Sequence, residues 1–568
     1  MYKVLPKQTS SVLMRDGIRL DADVYRPDAE GEFPVLLMRQ PYGRAIASTV
    51  VYAHPTWYAA HGYIVVIQDV RGRGTSEGEF QLFTHEIEDG EDSVNWAAKL
   101  PGSTGEVGMY GFSYQGMTQL YAAATKPQAL KTICPAMIGY DLYTDWAYEG
   151  GAFCLESNLS WAIQLATETA RLRKDEKAYH ALRAAYRNLP LYDRNPTLPE
   201  VLQNFAPDSF YHDWLAHSQP DEYWEKLSPK TYFQNVDLPM FHIGGWFDTY
   251  LRGTMHLYKD MAARSQYRQQ LLVGPWAHLP WGRRVGAVDF GIDAASPVDE
   301  MQIRWFDQFL KGIDTGLLEE PPVCLFEMGS DRWRKFDSFP DTTHKNYYLS
   351  SQGLSSIREN SGILTNYHSP LPTPYSPLPS SDVLVHDPWR PVPSLGGHAA
   401  MGAGSFERSH IDCRSDVLTY TSEVLEEDLY LVGDIIVEVW CSADKPSYDL
   451  CAVLSQVYSE GRVYNVTQGY LRCDGSNFTK RKIQLQTTCV RIARGNSFRL
   501  SLSAACFPAY AMNPGNGSSL GMEAEVITLM VSCGGETRLQ IFLPLNLSYV
   551  YLYTVRSSSN SLSVVPST

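Results

Sequence analysis

The chain has no run of about 18 consecutive apolar residues, so no segment of it reads as a membrane-spanning helix. It has no C-x-x-C pair. Its ten cysteines are scattered, most of them in apolar surroundings, which points to buried free thiols and not to a disulfide framework. No His/Cys/Asp/Glu grouping has metal-ligand spacing, and neither a metal nor another cofactor is expected. Positive charge is scarce: 48 Lys+Arg against 63 Asp+Glu leave a net charge of −15, which argues against nucleic acid and anionic membranes as partners. The polar opening Met1 to Gln8 lacks the apolar stretch of a secretory signal, so the cytoplasm is the expected location. No internal repeat is visible.

At 568 residues the chain is too long for a single core. Up to about residue 140 it alternates strand and helix. The apolar runs Val35 to Met38 and Ile64 to Ile67 end in glycine-containing turns, and the stretch Glu86 to Leu100 has helical spacing. Short continuous apolar runs separated by helices predict a parallel sheet covered on both faces. From 141 to 238 the text is helical, with Asn158 to Leu172 and Asp175 to Leu189 as the clearest segments, and it reads as an inserted cap. Strands resume at Leu238 to Gly245 and Gln270 to Gly274, and a helix around Glu300 to Leu310 reads as the last α/β element. Beyond about 320, alternating strands such as Leu429 to Trp440, Leu450 to Tyr458 and Glu523 to Val531 suggest a β-sandwich or jelly roll. The Pro/Ser-rich stretch 369–381 reads as a surface loop. The expected units are therefore 1–140 with 239–318, the cap 141–238, and 319–568.

The chemistry centres on Gly111-Phe112-Ser113-Tyr114-Gln115-Gly116, between a short apolar stretch and the helix-forming run Met117 to Ala124. A strand turning sharply into a helix holds a serine hydroxyl at the apex of a nucleophile elbow. The usual spacing G-x-S-x-G is broken here, because Gln115 occupies the second glycine position and the glycine arrives at Gly116. Alone, such a serine is commonly just a turn. Two further segments support it: Gly245-Trp246-Phe247-Asp248 and Gly274-Pro275-Trp276-Ala277-His278 put an acid and a histidine at the ends of successive predicted strands. Those C-terminal strand ends are where ligands bind in open α/β sheets, and Ser113, Asp248, His278 is the α/β-hydrolase order. His278 is the expected general base and Asp248 its orienting acid. The rival His242 lies mid-strand among apolar neighbours and reads as a satisfied core residue.

These segments together resemble the CocE/NonD hydrolase family, the cocaine-esterase-like group within an X-Pro dipeptidyl-peptidase-like superfamily. That family's elbow is G-x-S-Y-x-G, so the late Gly116 matches it. Its G-W-x-D and G-P-W-x-H motifs are the two segments above, and its D-x-R-G-x-G-x-S-x-G run is similar to Asp69 to Gly78. Asp387 to Gly397, Arg462 to Thr467 and Asn513 to Gly517 resemble the family's C-terminal domain. The resemblance implies an α/β-hydrolase fold with an inserted helical cap and a C-terminal β jelly-roll (galactose-binding-like) domain. It implies oxyanion donors in the Tyr42 hydroxyl and the Tyr114 amide, and an acyl site lined by Trp146, Trp161 and Tyr250. Those tryptophans also have a plain reading as cap core. Asp69 and Arg71 are expected to pair and hold the glycine turn.

The implied activity is hydrolysis of carboxylic esters, with amides as an extension, through an acyl-enzyme. An X-Pro dipeptidyl peptidase or related acylase is the alternative. It needs a carboxylate for the substrate ammonium, and nothing in the cap identifies one. Thr249-Tyr250-Leu251-Arg252 after Asp248 likewise lacks the second acid of an amino-acid ester hydrolase. His398 to Met401 stands where bulkier apolar residues are expected, so the ester class carries over and the individual substrate does not. A non-catalytic carbohydrate-binding protein is the reading from another class. The expected partner is a small-molecule ester or amide, and a homodimer is left open.

Overall fold

The computed structural model describes residues 1–45, 49–193, 195–358, 360–367, 381–517 and 523–545. Ten strands form the first sheet: β1 (Gln8–Leu13), β2 (Arg19–Tyr25), β3 (Phe33–Gln40), β4 (Ile64–Asp69), β5 (Ser103–Phe112), β6 (Leu130–Ala136), β7 (Met240–Phe247), β8 (Gln269–Ala277), β9 (Val323–Glu327) and β10 (Arg332–Phe336). Their order is β1-β2-β4-β3-β5-β6-β7-β8-β9-β10. Neighbours from β4 through β9 are parallel, and the outer pairs are antiparallel.

Every residue of β4, β7 and β8 is buried, as strands covered on both faces require. The side chains alternate between two cores. Val35, Leu37, Ile64 and Val66 join one cluster, and Leu36, Met38, Val65 and Ile67 join the other. The first core also takes in the helices α1 (Glu86–Ala97) and α2 (Tyr114–Ala124) and the cap tryptophans Trp146, Trp161 and Trp214. On the opposite face, Trp305 and Phe306 share a core with the β-domain strands.

The cap contains α3 (Leu155–Leu172) and α4 (Glu176–Arg187), followed by short helices at Glu200–Phe205, Phe210–Ala216 and Glu222–Leu227. Asp175, expected inside the second helix, caps it instead, its carboxylate accepting from the Ala178 N–H at 3.0 Å. The helices α5 (Leu251–Arg264) and α6 (Val298–Leu310) return to the sheet. α6 is not its last element. β9 and β10 extend the same sheet, so the expected break at 318/319 does not coincide with the sheet's edge. The apolar run at Val323 has the length of a strand in either domain, and only its pairing with β8 assigns it.

The C-terminal part is all β, an eleven-stranded sheet whose long members are Leu429–Ala443, Ser447–Val457, Val463–Asp474 and Thr479–Ile492. The strand expected from Glu523 begins only at Ile527. Of the stretch 369–381, residues 369–380 lie outside the described residues, and Ser381 opens the strand Ser381–His386. All ten cysteines are free and only Cys413 is exposed. Among the described residues no helix is long and apolar enough to cross a membrane, and no group of three His, Cys, Asp or Glu is placed to hold a metal.

Candidate active site

Ser113 joins β5 to α2 with φ 58° and ψ −129°, a conformation that residues other than glycine rarely adopt. Its surroundings hold it there. The Ser113 N–H donates to Ala136 O at 2.9 Å, and its carbonyl accepts from the N–H groups of Gly116 and Met117 at 2.8 and 2.9 Å. The two flanking glycines serve different needs. Gly111 has φ +141°, and a Cβ there would lie 2.5 Å from that of Gln115. A Cβ on Gly116 would lie 2.3 Å from Ile138 Cγ2, so the late glycine lets α2 pass close to the chain beyond β6.

The tyrosine after the serine anchors the elbow from below. Its phenol donates to Glu86 Oε1 at 2.7 Å, and Arg39 Nη1 holds the other Glu86 oxygen at 2.6 Å. The Tyr114 amide opens α2, so it is one of the helix donors that have no intrahelical acceptor.

Asp248 and His278 come together because β7 and β8 are adjacent and parallel, with Ala277 opposite Phe247. His278 Nδ1 lies 2.8 Å from Asp248 Oδ1. The carboxylate is fully buried, and its Oδ2 has no hydrogen-bond partner among the described residues. The imidazole lies between the rings of Phe112, at 5.4 Å, and Tyr250, whose edge-on centroid is 5.0 Å away.

Tyr42 follows β3, its N–H donating to Gln40 Oε1 at 3.0 Å. Its phenol oxygen accepts from the Trp161 indole N–H at 3.0 Å, and it lines the same cavity as Ser113. Burial pushes the phenol up to about 12, against the opposing pull of Trp161, the Arg73 charge and Ser113. It therefore stays a protonated donor through the neutral range.

A cavity of about 460 Å³ joins these groups. Tyr42, Ser113, Trp146, Trp161, Tyr250 and His278 all line it, with Ala399 and Ala400 of the β domain closing one side. Trp146 stacks on Tyr250 at 4.0 Å and tilts against Trp161 at 5.2 Å, so the sequence-derived aromatic trio forms one wall. Among the described lining residues none is Asp, Glu, Lys or Arg. Ser157, Ser160 and Gln164 line it too, and sequence reasoning missed them. Their spacing from Trp161 on one face of α3 was the available signal.

The β domain also touches the loop carrying Asp248. Gln486 Nε2 donates to the carbonyls of Trp246 and Asp248 at 3.0 and 3.2 Å, and Thr249 Oγ1 donates to His398 O at 2.7 Å. Beside it lies a buried polar group that no motif announced. Glu149 Oε2 accepts from Arg252 Nη1 at 2.6 Å and Tyr510 Oη at 2.5 Å, and lies 2.8 Å from His398 Nε2. Burial pushes the Glu149 carboxyl up, but the charges of Arg252 and His398 and the hydrogen bonds outweigh it and hold it at about 2.

Two expectations need correction. Asp69 and Arg71 do not pair. Asp69 takes the Arg44 guanidinium and the Arg44 N–H, while Arg71 binds Asp89 and Asp16, each at 2.6 Å at closest. Carboxylates from distant segments meet these arginines, and the motif alone does not show them. His242 is buried in β7 but only half partnered. Nε2 lies 2.9 Å from Gln269 Oε1, Nδ1 has no partner among the described residues, and burial lowers its pKa to about 4.

Residues 16–280 match the X-Pro dipeptidyl-peptidase (S15 family) model, and residues 315–541 match that of the X-Pro dipeptidyl-peptidase C-terminal non-catalytic domain. The chain is 30% identical to cocaine esterase of Rhodococcus sp. (strain MB1 Bresler) over 541 residues, 90% of this chain and 93% of the relative. Among solved structures it is similar to an aminopeptidase from the marine sediment archaeon Thaumarchaeota archaeon, with a TM-score of 0.80, 22% identity and coverage of 95% of this chain and 96% of that one. It is also similar to a CocE/NonD family hydrolase from Staphylococcus aureus, with a TM-score of 0.67, 18% identity and coverage of 94% and 93%.

Proposed function

This chain belongs to the CocE/NonD hydrolases, the cocaine-esterase-like group of the X-Pro dipeptidyl-peptidase-like superfamily, and on that premise we propose how it works as a serine hydrolase of carboxylic esters. Ser113 Oγ attacks the ester carbonyl while His278 Nε2 takes its proton. Asp248 accepts from Nδ1–H and stabilises the imidazolium. The carbonyl oxygen, now negative, is held by the Tyr42 hydroxyl and the Tyr114 amide. Collapse expels the alcohol, which leaves with the proton from His278, and Ser113 keeps the acyl group. Water then attacks with His278 again as base, and the carboxylic acid departs. The observation that carries this reading is the 2.8 Å His278–Asp248 contact in the same cavity as a serine held at φ 58°.

The wall of Trp146, Trp161 and Tyr250 suits a flat, uncharged acyl group. A dipeptidyl or aminoacyl substrate brings an ammonium that needs a carboxylate partner. No described lining residue supplies one, and Glu149 is already held by three neighbours. Both points favour neutral esters over the X-Pro peptidase alternative. Side-by-side assay of p-nitrophenyl esters, Gly-Pro-anilide and an amino-acid ester tests it. Neutral aryl esters are expected to give the highest kcat/KM, and a preference for Gly-Pro-anilide would replace the ester reading with the peptidase one. Buried free thiols support a cytoplasmic location, and the acidic balance disfavours nucleic acid as a partner.

A further inference from the structure

Trp161 lines the acyl cavity, and its indole also makes a directed polar contact. Its Nε1–H donates to the Tyr42 phenol oxygen at 3.0 Å. An indole nitrogen only donates, so the direction of this bond is unambiguous. The Tyr42 proton therefore cannot point at Trp161 and must find an acceptor elsewhere. The side left to it is the cavity that Tyr42 and Ser113 both line, where the ester carbonyl would sit. Donation into the phenol oxygen also polarises its O–H and strengthens it as a donor.

The indole is not free to turn away. It is wedged among Trp146, Phe210, Trp214 and Phe83, with ring centroids 5.2, 5.1, 6.2 and 6.3 Å away. Only 9% of Trp161 is exposed. Swinging the N–H off Tyr42 requires repacking four aromatic neighbours, so the cap holds this donor in place before substrate arrives.

We propose that Trp161 is a positioning residue for the oxyanion donor: its N–H orients and polarises the Tyr42 hydroxyl toward the ester carbonyl oxygen. The proposal rests on Tyr42 being an oxyanion donor, as read above. It differs from a wall role in what it predicts, because a wall acts on the acyl group and a polarised phenol acts on every ester alike.

The test is a cycle of Trp161→Phe, Tyr42→Phe and the double variant, each assayed on p-nitrophenyl acetate and p-nitrophenyl benzoate. Trp161→Phe is expected to lower kcat about tenfold on both esters, with KM changed less than about twofold. In the Tyr42→Phe background the same substitution is expected to cost almost nothing. A full, additive loss in that background overturns the proposal and leaves Tyr42 in its role. So does a loss confined to the benzoate with a raised KM. If Tyr42→Phe alone leaves the rate unchanged, the oxyanion reading falls, and this proposal with it. Should Trp161→Phe fail to fold, benzothienylalanine at position 161 keeps the indole shape without the N–H, and the same outcomes apply.

Discussion

Asp248 gives His278 one oxygen, at 2.8 Å, and its other oxygen has no hydrogen-bond partner among the described residues although the carboxylate is fully buried. Its charge is thus directed at the imidazole alone. Asp248→Asn removes that charge without stranding any other side-chain partner. It is expected to lower kcat about 10³–10⁴-fold, the size of effect seen when a triad imidazole is left in the wrong tautomer. Thermal unfolding should show no loss of stability, which separates a chemical defect from a folding one.

Ser113→Ala should abolish p-nitrophenyl ester hydrolysis and labelling by a fluorophosphonate probe, and activity near that of the wild type would remove Ser113 as nucleophile. The positive φ adds a second expectation. Alanine inherits the strain at φ 58° and glycine does not. Ser113→Gly should be equally inactive yet unfold at a higher temperature than Ser113→Ala.

Tyr42→Phe should lower kcat by about two to three orders of magnitude with the fold intact. Because burial pushes this phenol up to about 12, it stays protonated wherever the enzyme is assayed. The kcat–pH profiles of wild type and variant should therefore have the same shape between pH 6 and about 10. A wild-type fall near pH 10 that the variant lacks would show Tyr42 titrating early.

Glu149 ties the cap to α5 and the β domain, and its carboxyl is held at about 2 against an ordinary 4.5. A depressed folded-state value means its stabilisation is complete above about 4.5 and is lost as pH falls from there toward 2. Glu149→Gln leaves the Arg252 guanidinium without its counter-charge, at a cost of about 3–5 kcal/mol for breaking a buried pair. Melting curves should show a lower transition for the variant at pH 7, and a wild-type advantage that shrinks between pH 4.5 and 3.

The triad was legible because each member follows a short apolar strand in a fixed motif, and because adjacent parallel strands must bring their C-terminal ends together. Tyr42, Trp146, Trp161 and Tyr250 were named from the family resemblance, and the cavity unites them. What stayed hidden depends on pairing across long stretches of chain. Arg71 finds Asp89 and Asp16 where Asp69 was expected, and Glu149 finds His398 and Tyr510 far along the sequence. The run at Val323 joins the first sheet through its register with β8. The Trp161–Tyr42 bond was invisible for a different reason: an aromatic residue in a cap predicts burial, and burial does not say where an N–H points.

The turn bearing Asp248 is held by Gln486 and by the His398 carbonyl that accepts from Thr249, both belonging to a domain that contributes no triad member. The hydrolase half is consequently not a detachable module. A fragment ending after β10 retains all three triad side chains but loses the clamp on one of them. Heat inactivation should follow the same seam, with activity disappearing as the core shared by the two domains opens and before the core on the cap side melts. Selection for a longer-lived enzyme would then reward substitutions at the contact between the domains over substitutions within their interiors.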